Sequence, residues 1–168
     1  MKVKGNHFES IWISREHPNR VQIIDQRYLP FSFRIADIRT AENMFTAIRE
    51  MHLRGAPLIG AAGALGMYLA MLDHPGPFIP QDHIHEKAAY LKSSRPTAVN
   101  LPWAVDRVAN ALKELIPAER KPKQEAVELA RTVALQIMDE ERTNCLRIGQ
   151  YGVKLIEELS HHKKGDTV

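Results

Sequence analysis

Residues 54–70 read Arg-Gly-Ala-Pro-Leu-Ile-Gly-Ala-Ala-Gly-Ala-Leu-Gly-Met-Tyr-Leu-Ala, and no other stretch limits the fold so tightly. It predicts a loop that becomes a helix. Pro57 suits the first helical turn, where a missing N–H costs nothing. Gly55 permits a backbone turn that other residues resist. The helix itself is almost wholly small and apolar, with Gly60, Gly63 and Gly66 at intervals of three. Each glycine costs a helix interior about 0.5–1 kcal/mol relative to alanine, and three together imply that another backbone packs very close. The leading N–H groups of such a helix have no internal partner. With the positive end of the helix dipole they form an anion site, and Arg54 adds a permanent charge and a fork of donors. A plain core helix whose arginine caps a loop fits the same residues, so the stretch alone leaves both readings open.

The 168 residues suffice for one ordinary domain, and 44% hydrophobic with 26% charged residues is a soluble globular composition. No apolar run reaches the ~20 residues of a membrane span; the longest, at 58–72, is too short and too rich in glycine, so no membrane is expected. The first ten residues do not resemble a signal peptide. Cys145 is the only cysteine, which excludes an internal disulfide and points to a cytoplasmic setting. The net charge of +3 is spread along the chain without a basic stripe, so nucleic acid is not an expected partner.

Residues 8–13 alternate imperfectly and predict a first strand, with Phe8 and Trp12 on one face. His17-Pro18-Asn19-Arg20 is a turn, and the β-branched run 21–24 predicts a strand pairing back on the first. A third strand is expected around 31–35. From Thr40, an N-cap candidate, the period becomes helical, with Met44, Ala47, Ile48 and Met51 on one face and an end at Arg54-Gly55. The glycine-rich helix follows and breaks at His74-Pro75-Gly76-Pro77. Further helices are predicted over 81–91 and from about residue 97 or 100 to 115. Residues 117–122 read as a polar connector. From Lys123 to about Leu159 the pattern is one long helix or two in line, with Ala130, Ala134, Ile137, Cys145, Ile148, Leu155 and Leu159 on one stripe. Cys145 there reads as a small buried hydrophobe. Gly165 suits a helix C-cap, and residues 166–168 look like a turn entering a strand. The expected class is α+β: a small antiparallel β-meander over residues 1–39, a helical bundle over 40–160, and the start of a connection over 161–168.

A second helix start shares the design of the first. Arg95 precedes Pro96 and Thr97 ahead of the helix at 100, as Arg54 precedes Pro57. If the two helices lie side by side and point the same way, both arginines and both sets of free N–H groups converge on a nest suited to phosphate. Two unrelated loop arginines are the alternative. The His83-x-His85 and His161-His162 pairs read as solvated surface and not as metal ligands, since His83 and His85 face different ways on a helix.

Three blocks carry a resemblance: Ile24-Asp25-Gln26-Arg27-Tyr28-Leu29-Pro30, Arg54-Gly55-Ala56-Pro57-Leu58-Ile59-Gly60, and Ser94-Arg95-Pro96-Thr97-Ala98-Val99-Asn100-Leu101, with a weaker one at Ile148-Gly149-Gln150-Tyr151-Gly152. In order and spacing the chain resembles the N-terminal half of the methylthioribose-1-phosphate isomerase family. That family shares its architecture with other sugar-phosphate isomerases and with regulatory subunits of a translation-initiation exchange factor. The resemblance implies conversion of 5-methylthioribose 1-phosphate to 5-methylthioribulose 1-phosphate in methionine salvage, with no metal and no organic cofactor, in a homodimer when full length. It implies substrate binding by Arg54, Gly55, Ala56 and Arg95, with Asp25-Gln26-Arg27 either bordering the cleft or only fixing the strand end. The family's catalytic cysteine and aspartate belong to a C-terminal Rossmann-like domain that this chain lacks, so it holds no catalytic residue and is expected to be inactive alone. A regulatory, non-catalytic relative of the translation-factor subunits, or another sugar-phosphate isomerase, is the competing expectation. A stand-alone helical binding module is the third.

Overall fold

A computed structural model describes residues 2–3, 5–115 and 120–162. The chain begins with a small hairpin, β1 (Lys2–Val3) and β2 (Asn6–His7), turned through Gly5 at φ +83°. Next, β3 (Ile11–Ile13), β4 (Val21–Ile24) and β5 (Ile35–Ile38) form an antiparallel meander in that order. Alternation splits its faces cleanly. Ile11 pairs with Ile23, and Val21 with Ile38, on the side that enters the core. On the other side Trp12 Nε1 donates to Gln22 Oε1 (2.9 Å) and Gln22 Nε2 donates to Asp37 Oδ1 (3.0 Å). The meander is as expected, but its outer strands are not. The first is shorter than 8–13. The third begins where 31–35 was expected to end, because the chain after β4 first makes a 3₁₀ turn (Gln26–Tyr28) and leaves Phe31 95% exposed.

Helix α1 (Ala41–Arg49) starts as its sequence predicts, with Thr40 Oγ1 accepting from the Asn43 N–H at 3.1 Å. It ends before Arg54-Gly55: Met51 turns left-handed at φ +57°, and the His52 N–H returns to the Ala47 carbonyl at 2.9 Å. Helix α2 (Ala56–Asp73) follows, then β6 (Phe78–Pro80), α3 (Gln81–Ser93), α4 (Asn100–Leu115), β7 (Arg120–Pro122) and α5 (Lys123–His162). β6 and β7 pair antiparallel, so the second half of the expected connector at 117–122 is a strand, and residues 117–119 lie outside the described ones. Three-residue strands ending in proline carry no period from which to be recognised.

α2 is buried on all sides from Ile59 to Met71 and is sheathed by α1, α3, α4 and α5. By length and composition alone it could cross a membrane (18 residues, mean hydropathy 1.4), yet here it is the core helix of the bundle. Ile11, Val21, Ile23 and Ile38 of the sheet belong to the same hydrophobic cluster, so one core serves sheet and helices alike. The glycines admit the neighbours. A Cβ on Gly60 would lie 3.1 Å from the Asn100 carbonyl oxygen. At Gly63 it would lie 2.6 Å from Leu101 Cδ1, and at Gly66 2.9 Å from Leu91 Cδ2. Close approach of another backbone thus holds at Gly60, while Gly63 and Gly66 make room for buried leucines.

α5 is a single helix of 40 residues. Ala126, Ala130, Ala134 and Ile137 face the core, and beyond them the apolar stripe emerges, leaving Leu146, Ile148, Tyr151, Leu155 and Leu159 exposed. Gly149 and Gly152 do not break the helix and, among the described residues, meet no neighbour. Cys145 corrects its expectation: it is exposed, because the helix has left the bundle before reaching it. A thiol-specific reagent is therefore expected to titrate one thiol per folded chain without denaturant; labelling that waits for unfolding would contradict this placement. The expected C-cap at Gly165, the strand entry at 166–168 and most of the connection over 161–168 lie outside the described residues.

Candidate functional site

Gly60 of α2 faces Asn100 at the start of α4, and Gly63, one turn on, faces Leu101 and Val105. The two helices therefore run side by side in the same direction, with their amino ends at one end of the bundle. Arg54 stands just ahead of the first and Arg95 ahead of the second. Arg54, Gly55 and Ala56 are exposed, and Arg95 is half-buried. Among the described residues neither guanidinium has a hydrogen bond or an ion pair.

Each helix start has an identifiable local cause. Gly55 takes φ +106°, which side chains rarely adopt, and caps α2 without a side-chain bond. Its carbonyl accepts from the Ile59 N–H at 2.9 Å. By helix geometry the N–H groups of Ala56 and Leu58 point out of the end, and Pro57 has none to satisfy. On the second arm, the buried Ser94 Oγ donates to the Leu91 carbonyl at 2.6 Å. The Ala98 N–H then returns to the Arg95 carbonyl at 3.1 Å. Pro102 falls in the first turn of α4, where it costs the helix no bond, and regular helix begins at Asn100.

The Asp25 block adjoins the first arm. Asp25 is 4% exposed. It accepts from Arg27 Nε (3.0 Å) and Nη2 (2.8 Å) and from the Arg27 N–H (3.1 Å). The Gln26 N–H donates to the His52 carbonyl at 2.8 Å, two residues before Arg54. The Arg27 guanidinium holds the Asp25 carboxyl below its ordinary range against the opposing effect of burial. A lowered folded-state pKa gives stability that is complete above the unfolded-state value and is lost as pH falls through the folded one. Arg27→Met is expected to raise the Asp25 pKa and move that loss to higher pH, as read from the pH dependence of the Asp25 carboxyl-carbon shift; an unmoved midpoint would contradict the pairing.

Other singled-out residues lie elsewhere. His83 Nε2 is 3.2 Å from the Ala70 carbonyl and its ring meets His74, while His85 contacts Gln81 at 3.1 Å. A groove of about 610 Å³ runs past the start of α2, walled in part by Phe8, Pro57, Leu58, Met138 and Cys145. Glu50 and His52, which shape the approach to Arg54, carry no mark in the sequence, and Met51, expected on the apolar face of α1, is instead exposed in the left-handed turn beyond its end. No pattern marks a residue whose contribution is a backbone carbonyl or a left-handed turn.

Comparison with known proteins places the chain. The Initiation factor 2 subunit family matches residues 52–168. The methylthioribose-1-phosphate isomerase of Desulfatibacillum aliphaticivorans is 40% identical over 168 residues, all of this chain and 44% of that protein. That of Desulfosudis oleivorans is 43% identical over 161 residues, 94% of this chain and 41% of that protein. The chain thus spans about two fifths of the length of these relatives. Among solved structures, 5-methylthioribose 1-phosphate isomerase from Pyrococcus horikoshii OT3 superposes with a TM-score of 0.74 at 32% identity, over 86% of this chain and 40% of that one. Translation initiation factor eIF-2B subunit delta from A. fulgidus gives 0.70 at 32% identity, over 80% of this chain and 37% of that one. By the family match, and by helices and strands that follow these neighbours, the chain belongs to the Initiation factor 2 subunit family.

Proposed function

We propose that this chain is the phosphate-holding part of an aldose–ketose isomerase that converts 5-methylthioribose 1-phosphate to 5-methylthioribulose 1-phosphate in methionine salvage. The observation that carries the reading is the shared end of α2 and α4, each preceded by an arginine with no partner among the described residues. The names of the related isomerases support the substrate. Arg54 and the N–H groups of Gly55 and Ala56 hold the phosphate from one helix, and Arg95 from the other.

Moving hydrogen between C2 and C1 of the sugar calls for a group tuned to exchange protons near neutral pH. Gripping the phosphate away from the reacting carbons supplies the binding energy that positions them. On this reading the grip and one cleft wall come from this chain. The proton-handling group comes from a C-terminal domain, so the chain alone has no turnover. The exposed stripe of Ile148, Tyr151, Leu155 and Leu159 on α5 is the surface that domain covers, and the complete protein is a homodimer.

Calorimetric titration with 5-methylthioribose 1-phosphate, against 5-methylthioribose without its phosphate, tests the proposal. Saturable binding of the phosphorylated sugar alone supports it; equal binding of both, or of neither, overturns it. A non-catalytic regulatory role is the second reading, favoured by the likeness to the eIF-2B delta subunit. It predicts that a nucleotide displaces the sugar phosphate or binds in its place.

A further inference from the structure

We infer that Asp25, Gln26 and Arg27 form a latch that holds the loop carrying Arg54 in its working shape, which makes Arg27 a positioning residue. The inference deepens the proposed phosphate grip and rests on it for its functional meaning.

The loop between α1 and α2 is not one the backbone adopts freely. Met51, an exposed methionine, stands at φ +57°, and Gly55 stands at φ +106°. A non-glycine residue in the left-handed region persists where its surroundings over-determine it. Fully buried Leu53 anchors the middle of the loop, and the His52 N–H ties back to α1. Among the described residues, the one backbone bond that reaches residues 50–55 from outside α1 and α2 is the Gln26 N–H to the His52 carbonyl at 2.8 Å. Gln26 can offer that N–H because its neighbours are locked. Arg27 forks onto buried Asp25, whose Oδ1 also takes the Arg27 N–H and so shapes the 3₁₀ turn. The remaining Arg27 nitrogen, Nη1, lies 3.9 Å from Glu50 Oε2, at the C-cap of α1. The same Glu50 oxygen is 3.5 Å from His52 Nε2, which is shielded from water and, among the described residues, outside hydrogen-bond geometry with any partner. Arg27 and His52 thus face Glu50 from the two segments that the latch joins. The half-exposed Arg27–Glu50 pair adds little by itself; the buried fork on Asp25, which presents the Gln26 N–H, is the stronger part.

The test compares backbone amide exchange in the 168-residue chain with that in Arg27→Met and in the double variant Asp25→Asn with Arg27→Met, which leaves no buried charge unpaired. The expected result is exchange about tenfold faster over residues 51–55, with residues 94–99 unchanged. Titration with inorganic phosphate is expected to weaken about fivefold in both variants and to recover in part with Arg27→Lys. Arg107→Met, which breaks the ion pair with Glu140 on the bundle, is expected to move neither readout. Unchanged exchange at 51–55 in both variants, or a rise spread evenly over the chain, overturns the latch. If Arg54→Ala leaves phosphate binding untouched, the phosphate reading fails and the local exchange still decides the latch. If Arg54→Ala abolishes binding while the latch variants alter nothing, the latch alone fails.

Discussion

Arg54→Ala is expected to weaken binding of 5-methylthioribose 1-phosphate by about 10- to 100-fold, the range set by losing a charged hydrogen bond of about 1.5–3 kcal/mol. Arg54 is exposed and unpaired among the described residues, so its removal leaves no buried partner stranded and the fold should stand. Arg95→Ala is expected to cost a similar amount. On the proposed reading both guanidiniums address one phosphoryl group, so the double variant should lose less than the product of the two single losses, as groups sharing a ligand are coupled. Arg54→Lys should recover only part of the affinity, since an ammonium cannot fork onto two phosphate oxygens. Calorimetry on the four variants decides the matter: losses that multiply independently would mean that the two arginines serve different ends.

Gly60→Leu is expected to lower stability by about 3 kcal/mol, at the upper end of what overpacking a core costs. Its first added carbon would stand 3.1 Å from a backbone carbonyl, which cannot swing aside as a side chain can. α2 and α4 must then part along the stretch where they are closest. For a chain of this size the thermal midpoint should fall by roughly 6–12 °C. The same wedge would separate the two arginine-bearing helix starts, so phosphate affinity should fall as well. A variant with an unshifted midpoint would show that α4 is not seated against Gly60.

The parts of this architecture legible in the sequence are those written in side chains. The glycine spacing predicts another backbone packed very close, which holds at Gly60, whereas Gly63 and Gly66 meet leucine side chains. Thr40 predicts the start of α1, and the Thr40 hydroxyl caps it. Gly55 and Pro57 mark the start of α2 and Pro96 the approach to α4, and both helices begin close to where those residues place them. What stayed hidden depends on partners distant in sequence. β6 and β7 are three residues each and exist only because they meet. The third meander strand slid to 35–38 because the Asp25–Arg27 fork spends the intervening residues on a turn. Cys145 kept to an apolar stripe, yet a stripe records periodicity and not whether anything lies opposite it.

The free portion of α5 also behaves as a lever. From Leu146 to His162 it projects about 25 Å past the bundle at the rise of an α-helix, so a tilt of about 5° at its root would carry its tip about 2 Å. Its root is fixed by contacts that can be named, among them the ion pairs Arg142–Glu9 and Arg107–Glu140. How far the last turns swing is therefore set by how firmly those few residues hold the shaft.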